Sequence, residues 1–375
     1  IERADPGKVN DYLRVAGLVI ANEPTAKVAG FLELSKTFFQ HHALHYEKSF
    51  RLYAREDDYS FEYIEAAPAI DITDTTSIPS TSDVSTNDAP PADSYADQSA
   101  DTTYVDAPLW MTPPPQPMAE GAIIRFNRVT LNLVTKYDSV FLKNSKGFLS
   151  FRLNQFIGQE GTFDWTPAGL GPETVNCNLV NYTINVARPE LKSDLAKISY
   201  IGKTPGFIPG TFEFRSVARR DSVPSSYPRF RSFQNSLAIQ GIGDENVKYT
   251  GGFSLIGNKI TSASVTGDPA TIEVYHNGEK KFTARSSEFG FSDSTIVSQK
   301  SSINIPIGND SITHNRIRLK YTFGADSMQR LFLQKDKGNM NHTPYSSNFF
   351  NIDFAADIIK WDLYSDSMNI MTDGG

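Results

Sequence analysis

Cysteine is nearly absent: Cys177 is the only one in 375 residues. A single thiol excludes an internal disulfide and a four-cysteine zinc site within the chain. No apolar run approaches the roughly 18 residues that cross a bilayer as a helix. Lys and Arg are missing from the whole stretch between Arg55 and Arg125, which carries Asp57, Asp58, Asp71, Asp74, Asp83, Asp88, Asp93, Asp97, Asp101 and Asp106. The net charge of −7 is therefore concentrated there. The remainder is mildly basic, and no nucleic-acid partner is expected. Motifs of catalysis are also missing. There is no P-loop and no dinucleotide fingerprint. Gly252-Phe253-Ser254-Leu255-Ile256-Gly257 has one residue too many for a nucleophile elbow. No catalytic residue and no cofactor is expected, and the reading leans away from an enzyme without excluding one.

Aromatic residues are abundant at 12%, mostly Phe and Tyr, which suits half-buried strands. A signature of aromatic-x-Gly followed by Gly-x-Phe-x-aromatic recurs at intervals of roughly 40–50 residues, as stacked units would have it. Its copies are Phe156-Ile157-Gly158 with Gly161-Thr162-Phe163-Asp164-Trp165, then Tyr200-Ile201-Gly202 with Gly210-Thr211-Phe212-Glu213-Phe214, then Tyr249-Thr250-Gly251 with Gly252-Phe253-Ser254-Leu255. Its glycines are expected at corners and bulges.

Three regions follow from the pattern. Residues 1–70 predict a small α+β unit. Tyr12, Val15, Leu18 and Val19 share a helix face, and Val28, Phe31, Leu32, Leu34, Phe38 and Phe39 form a second apolar stripe. Phe50–Ala54 and Phe61–Tyr63 predict a hairpin with a charged turn. Residues 71–120, rich in Asp, Ser, Thr and Pro, predict a flexible acidic linker ending in a stiff Met111–Pro117 spacer. Residues 121–375 predict an antiparallel β region, either a sandwich or an open roll, with a break near 235–250. Period-2 alternation carries it: Val129, Leu131 and Leu133; Val175, Cys177 and Leu179; Ile303, Ile305 and Ile307; Ile317, Leu319 and Tyr321. An Asp-Ser-apolar triplet, as at Asp138-Ser139-Val140 and Asp310-Ser311-Ile312, marks the turns. The chain is expected to be an excerpt of a longer protein.

Few residues suggest binding chemistry. His41 and His45 would sit one turn apart on a helix, a spacing that can share a metal. Histidines near a helix C-terminus also suit the dipole. Arg219, Arg220, Arg229 and Arg231 cluster with aromatics and could bind phosphates or an acidic glycan, or guard a sheet edge. Trp165 is a candidate sugar-stacking residue or a core residue.

Lys136-Tyr137-Asp138-Ser139-Val140, Gly161-Thr162-Phe163-Asp164-Trp165, Tyr249-Thr250-Gly251-Gly252-Phe253 and Leu333-Gln334-Lys335-Asp336-Lys337-Gly338 resemble segments of large, uncharacterised β-repeat proteins of the Bacteroidota cell envelope. The layering is loosely similar to lipid-bridging envelope proteins with β-taco or roll-like stacks. The resemblance implies a non-enzymatic envelope scaffold, periplasmic or at the cell surface, whose partners are other envelope proteins, lipid or glycan. One version has an elongated apolar groove for lipid. The alternatives are a glycan-binding or adhesive module and a β-sandwich hydrolase.

Overall fold

The computed structural model describes residues 5–55, 58–65, 114–218, 226–324, 329–335 and 343–372. The chain is mainly β: one large antiparallel sheet with two helices at its N-terminal end. The helices are α1 (Pro6–Asn22) and α2 (Thr25–His41). Pro24 takes the N-cap of α2 itself, and His42 closes that helix in the left-handed region at φ 49°. The first strands are β1 (Ala43–Tyr46), β2 (Phe50–Ala54) and β3 (Tyr59–Ile64). A meander of longer strands follows: β4 (Gly121–Thr135), β5 (Ser139–Ser150), β6 (Gln155–Asp164), β7 (Val175–Asn185), β8 (Glu190–Tyr200) and β9 (Ile208–Arg215). Shorter strands continue it: β10 (Arg229–Ser232), β11 (Val247–Thr250), β12 (Ser254–Ile256), β13 (Lys259–Thr261), β14 (Ala270–His276), β15 (Glu279–Ser286) and β16 (Gly290–Phe291). The last group is β17 (Thr295–Ile307), β18 (Asp310–Thr322), β19 (Arg330–Lys335), β20 (Tyr345–Ser347), β21 (Ile352–Phe354), β22 (Ile358–Asp362) and β23 (Met368–Met371).

The ladder runs β2–β4–β5–β6–β7–β8–β9–β10–β12–β13–β16–β17–β18–β19–β22–β23, with β11–β14–β15 joining the far half of β17. Every pairing in it is antiparallel. The expected break near 235–250 does not interrupt it, and one hydrophobic cluster extends from Val15 to Leu363. The alternation read from the sequence is the burial pattern. Val175, Cys177 and Leu179 are buried, and so are Ile317, Leu319 and Tyr321.

The N-terminal unit does not stand apart. The expected hairpin is replaced by two strands laid end to end on one partner: β2 pairs with the second half of β4 (Leu52↔Leu133), and β3 with its first half (Phe61↔Ile124). The helices pack on the inner face, where Phe38 contacts Tyr59, Phe61 and Phe126. Each such buried ring contributes roughly 1.5–3 kcal/mol relative to exposure. Of the expected linker, residues 71–113 lie outside the described residues. Its end is pinned to the outer face: Gln116 Nε2 donates to Gly158 O at 2.7 Å, and Ala119 covers Ile123, Phe148 and Ile157.

The long strands bend in the middle. Register shifts fall at Phe126–Leu131 of β4, Lys143–Gly147 of β5, Leu179–Tyr182 of β7, Ser193–Ala196 of β8 and Ser298–Ile303 of β17. Those of β4, β5, β7 and β8 fall within one run of neighbouring strands, and bulges of this kind bend strands and raise twist. Buried serines satisfy the backbone groups that the ladder drops there. Ser145 Oγ donates to Leu142 O at 3.2 Å. The Ser193 hydroxyl sits between the carbonyls of Asn181 and Leu195, at 2.5 and 2.9 Å. Ser301 Oγ donates to Ile317 O at 3.2 Å, and Ser298 Oγ accepts Lys300 N–H at 3.2 Å.

The first copy of the Gly/aromatic signature crosses one of these bends. That copy lies along β6, the second spans the β8–β9 turn, and the third links β11 to β12. Gly158 leaves room for the ring of Tyr182, whose hydroxyl donates to Glu160 O at 3.3 Å across the bend. The equivalent phenylalanines Phe163 and Phe212 meet face to core at 4.7 Å between ring centres. A Cβ on Gly158 would overlap the Tyr182 ring, whereas one on Gly206 meets open space. Gly158→Ala is therefore expected to destabilise the chain by roughly 1–3 kcal/mol, and Gly206→Ala by less than about 0.5 kcal/mol. Urea midpoints of the two variants check this, and equal midpoints would remove the close approach as an explanation.

Candidate functional site

The bends coil the sheet until separated strand ends meet. Thr135, ending β4, has its hydroxyl 2.6 Å from that of Ser216, just past β9, five strands on along β4–β5–β6–β7–β8–β9. Ser216 Oγ donates in turn to Asp138 Oδ2 at 2.6 Å. Trp165, at the end of β6, donates Nε1–H to Gly257 O at 2.8 Å, at the β12–β13 turn, again five strands on through β7–β8–β9–β10–β12. His276, ending β14, packs edge to face on Tyr364 at 4.3 Å, just past β22, through β15–β17–β18–β19–β22. Side chains, not a ladder, close this seam among the described residues, so the sheet is a coiled roll and not a closed barrel.

Cavities line the seam. One of about 680 Å³ lies where the β1–β2 turn, the β4–β5 turn and the end of β9 converge, and its lining includes Lys48, Arg51, Lys136, Tyr137, Pro189 and Ser216. A second, of about 450 Å³, lies between Tyr200 and Lys203 past β8 and Phe291 and Asp293 past β16. The inner face itself is filled. Phe156, Phe163, Trp165, Phe214, Phe230 and Phe253 are among its largest fully buried side chains.

The residues singled out from the sequence do not assemble into one site. His41 ends α2 while His45 lies in β1, so the helical spacing that would pair their imidazoles does not exist. His41 stacks on Tyr46 at 3.9 Å, and His45 on Phe50 at 5.0 Å. No group of three or more potential metal ligands occurs among the described residues. Trp165 is fully buried and its indole N–H is spent on Gly257, which puts it out of reach of a sugar. Arg229 donates Nε–H to Ser226 O at 2.7 Å and lies over the Tyr227 ring at 4.3 Å. Arg231 points outward from β10 beside Thr211. Arg219 and Arg220 lie outside the described residues. Ser254, in the near-elbow, is buried and donates to Phe230 O at 2.9 Å. Asp164 and Glu213 occupy equivalent places and hold Lys143 and Arg215 at 3.3 and 2.7 Å. Burial pushes the Asp164 carboxyl up, but the Thr166 backbone and hydroxyl and Lys143 outweigh it and hold it below the usual range.

Sequence reasoning missed the seam cations. Lys136 lay in plain view beside Asp138-Ser139-Val140, but the triplet was legible only as turn punctuation. Asp138 does cap that turn, with its N–H donating to Thr135 Oγ1 at 3.0 Å, and its carboxylate also latches the seam through Ser216. A turn residue shows its local partner in sequence; a partner 78 positions away is visible only once the sheet has coiled.

Two histidines, the buried His314 and the half-buried His45, are expected to make stability depend on pH. At the β18 bulge, His314 Nδ1 accepts Arg316 N–H at 3.0 Å, so Nε2–H is the group facing Thr343 O at 3.1 Å. Protonating Nδ1 breaks the first bond. Burial holds the His314 and His45 imidazoles below the ordinary value of 6.5. The unfolded chain takes up those protons first, so their stabilisation is complete above about pH 6.5 and declines as pH falls below it. Urea unfolding at pH 7.5 and 5.5 is expected to show this loss, and His314→Gln should flatten it.

No family model, no curated protein and no solved structure matches the chain.

Proposed function

We propose that this chain is a non-enzymatic structural body of the cell envelope, a coiled β scaffold that holds its surfaces at fixed spacing for other envelope components. One observation carries the reading: the side chains that catalysis draws on are committed to holding the coil. Ser145, Ser193, Ser298 and Ser301 satisfy bulges, Asp138 latches the seam, His314 fills a bend, and Trp165 bridges β6 to the β12–β13 turn. The envelope setting rests on the sequence resemblance. The aromatic filling of the inner face favours the scaffold over the lipid-groove version, because acyl chains would compete with Phe156, Phe163 and Phe253 for the same space.

A second reading, an adhesive or glycan-binding module, draws on exposed Tyr137, Phe141, Phe349, Phe350 and Tyr364. Aromatic faces presented to water suit stacking on sugars. Native mass spectrometry of the whole purified chain, followed by solvent extraction, separates the versions. The scaffold reading expects the bare mass and no phospholipid. Lipid released only on unfolding would overturn it in favour of a conduit. Fractionation of the source cells that places the chain in the cytoplasm would remove the envelope setting.

A further inference from the structure

We propose that the seam cavity framed by Lys48, Arg51 and Lys136 binds a phosphate or carboxylate group carried on a compact organic ligand. This goes beyond the scaffold reading and does not depend on it.

The cations come from two pieces of chain: the β1–β2 turn running into β2, and the β4–β5 turn. The β2–β4 ladder, with Phe50 opposite Thr135 and Arg51 opposite Val134, brings them around one concavity. Four other lysines are paired with carboxylates. Lys143 meets Asp164 at 3.3 Å, Lys280 meets Glu273 at 2.5 Å, Lys281 meets Glu279 at 2.6 Å and Lys335 meets Asp357 at 3.4 Å. Among the described residues, no carboxylate lies within ion-pair distance of Lys48, Arg51 or Lys136. Like charges around one hollow repel, and a bound anion relieves that repulsion. Glu47, also at the rim, is 67% exposed and turned toward His45 at 3.9 Å.

Arg51 supplies the second observation. Its Nε is buried with no hydrogen-bond partner, and its guanidinium stands over the Tyr46 ring at 5.2 Å. A buried donor left unmade is costly, and a guanidinium can meet a planar, two-oxygen acceptor. Hydroxyls of Ser49 and Ser216 share the lining, and Val134 and Pro189 give it an apolar wall. The volume of about 680 Å³ suits a ligand of sugar size.

Isothermal titration of the full chain with inorganic phosphate, glucose 6-phosphate and glucuronate tests the site. At least one probe is expected to bind saturably and to weaken as salt rises. Preference for the two phosphates would identify a phosphoryl group, and preference for glucuronate a carboxylate. Arg51→Gln or Lys136→Gln should weaken binding about tenfold or more. Lys360→Gln, on β22, should leave it unchanged. Lys136 lies on an exposed turn, so its variant remains informative if Arg51→Gln fails to fold. No saturable binding at millimolar probe, or the same loss in Lys360→Gln, would overturn the proposal.

Discussion

A long strand can turn a corner inside a core only if the backbone groups released at the corner find new partners. In this chain that condition is met by short side chains. Ser145, Ser193 and Ser301 each reach a carbonyl that the ladder has dropped, and His314 accepts an N–H from its own bulge. Glycines such as Gly158 supply the complementary allowance, space for a ring to cross the bend. The bulges then coil the sheet as a whole. The filled core, the seam and the cavities along it all descend from the same hydrogen-bonding requirement.

The seam explains why chemistry and structure are hard to separate here. Ser, Asp, His and Trp usually draw attention as reactive or ligand-facing groups. In this roll they hold strand ends together at places where no ladder forms, as Thr135, Ser216 and Asp138 do between β4 and β9. At one rim the β1–β2 and β4–β5 turns meet, and among the described residues Lys48, Arg51 and Lys136 have no carboxylate within ion-pair distance there.

Much of the fold was legible in the sequence because period-2 alternation reports burial directly. The dry faces of β7, β17 and β18 fall where Val175, Ile303 and Ile317 predict them. The helices were legible for the same reason, with Val15, Val19, Phe31 and Phe38 buried. Strand partnership was not. Phe50–Ala54 and Tyr59–Ile64 look like a hairpin locally, yet each has a longer partner in β4, and fifteen residues of continuous strand outcompete a tight turn. Of the aromatic signature, Phe163 and Phe212 occupy matching places in the first two copies and meet across the core. The cationic rim had no sequence signal, since Lys48, Arg51 and Lys136 are ordinary turn and strand residues until the long-range β2–β4 pairing gathers them.

The seam also sets how this molecule would respond to being pulled. Its contacts join each strand to one about a full winding away, and among the described residues they are side-chain contacts such as a hydroxyl pair, an indole bond and a pair of rings. Hydrogen bonds within each winding are far more numerous. Tension applied across the windings therefore meets isolated fasteners before it meets any continuous ladder. The roll would open winding by winding, lengthening in steps while each sheet segment keeps its pairing, which is the behaviour of a tether that yields without unravelling.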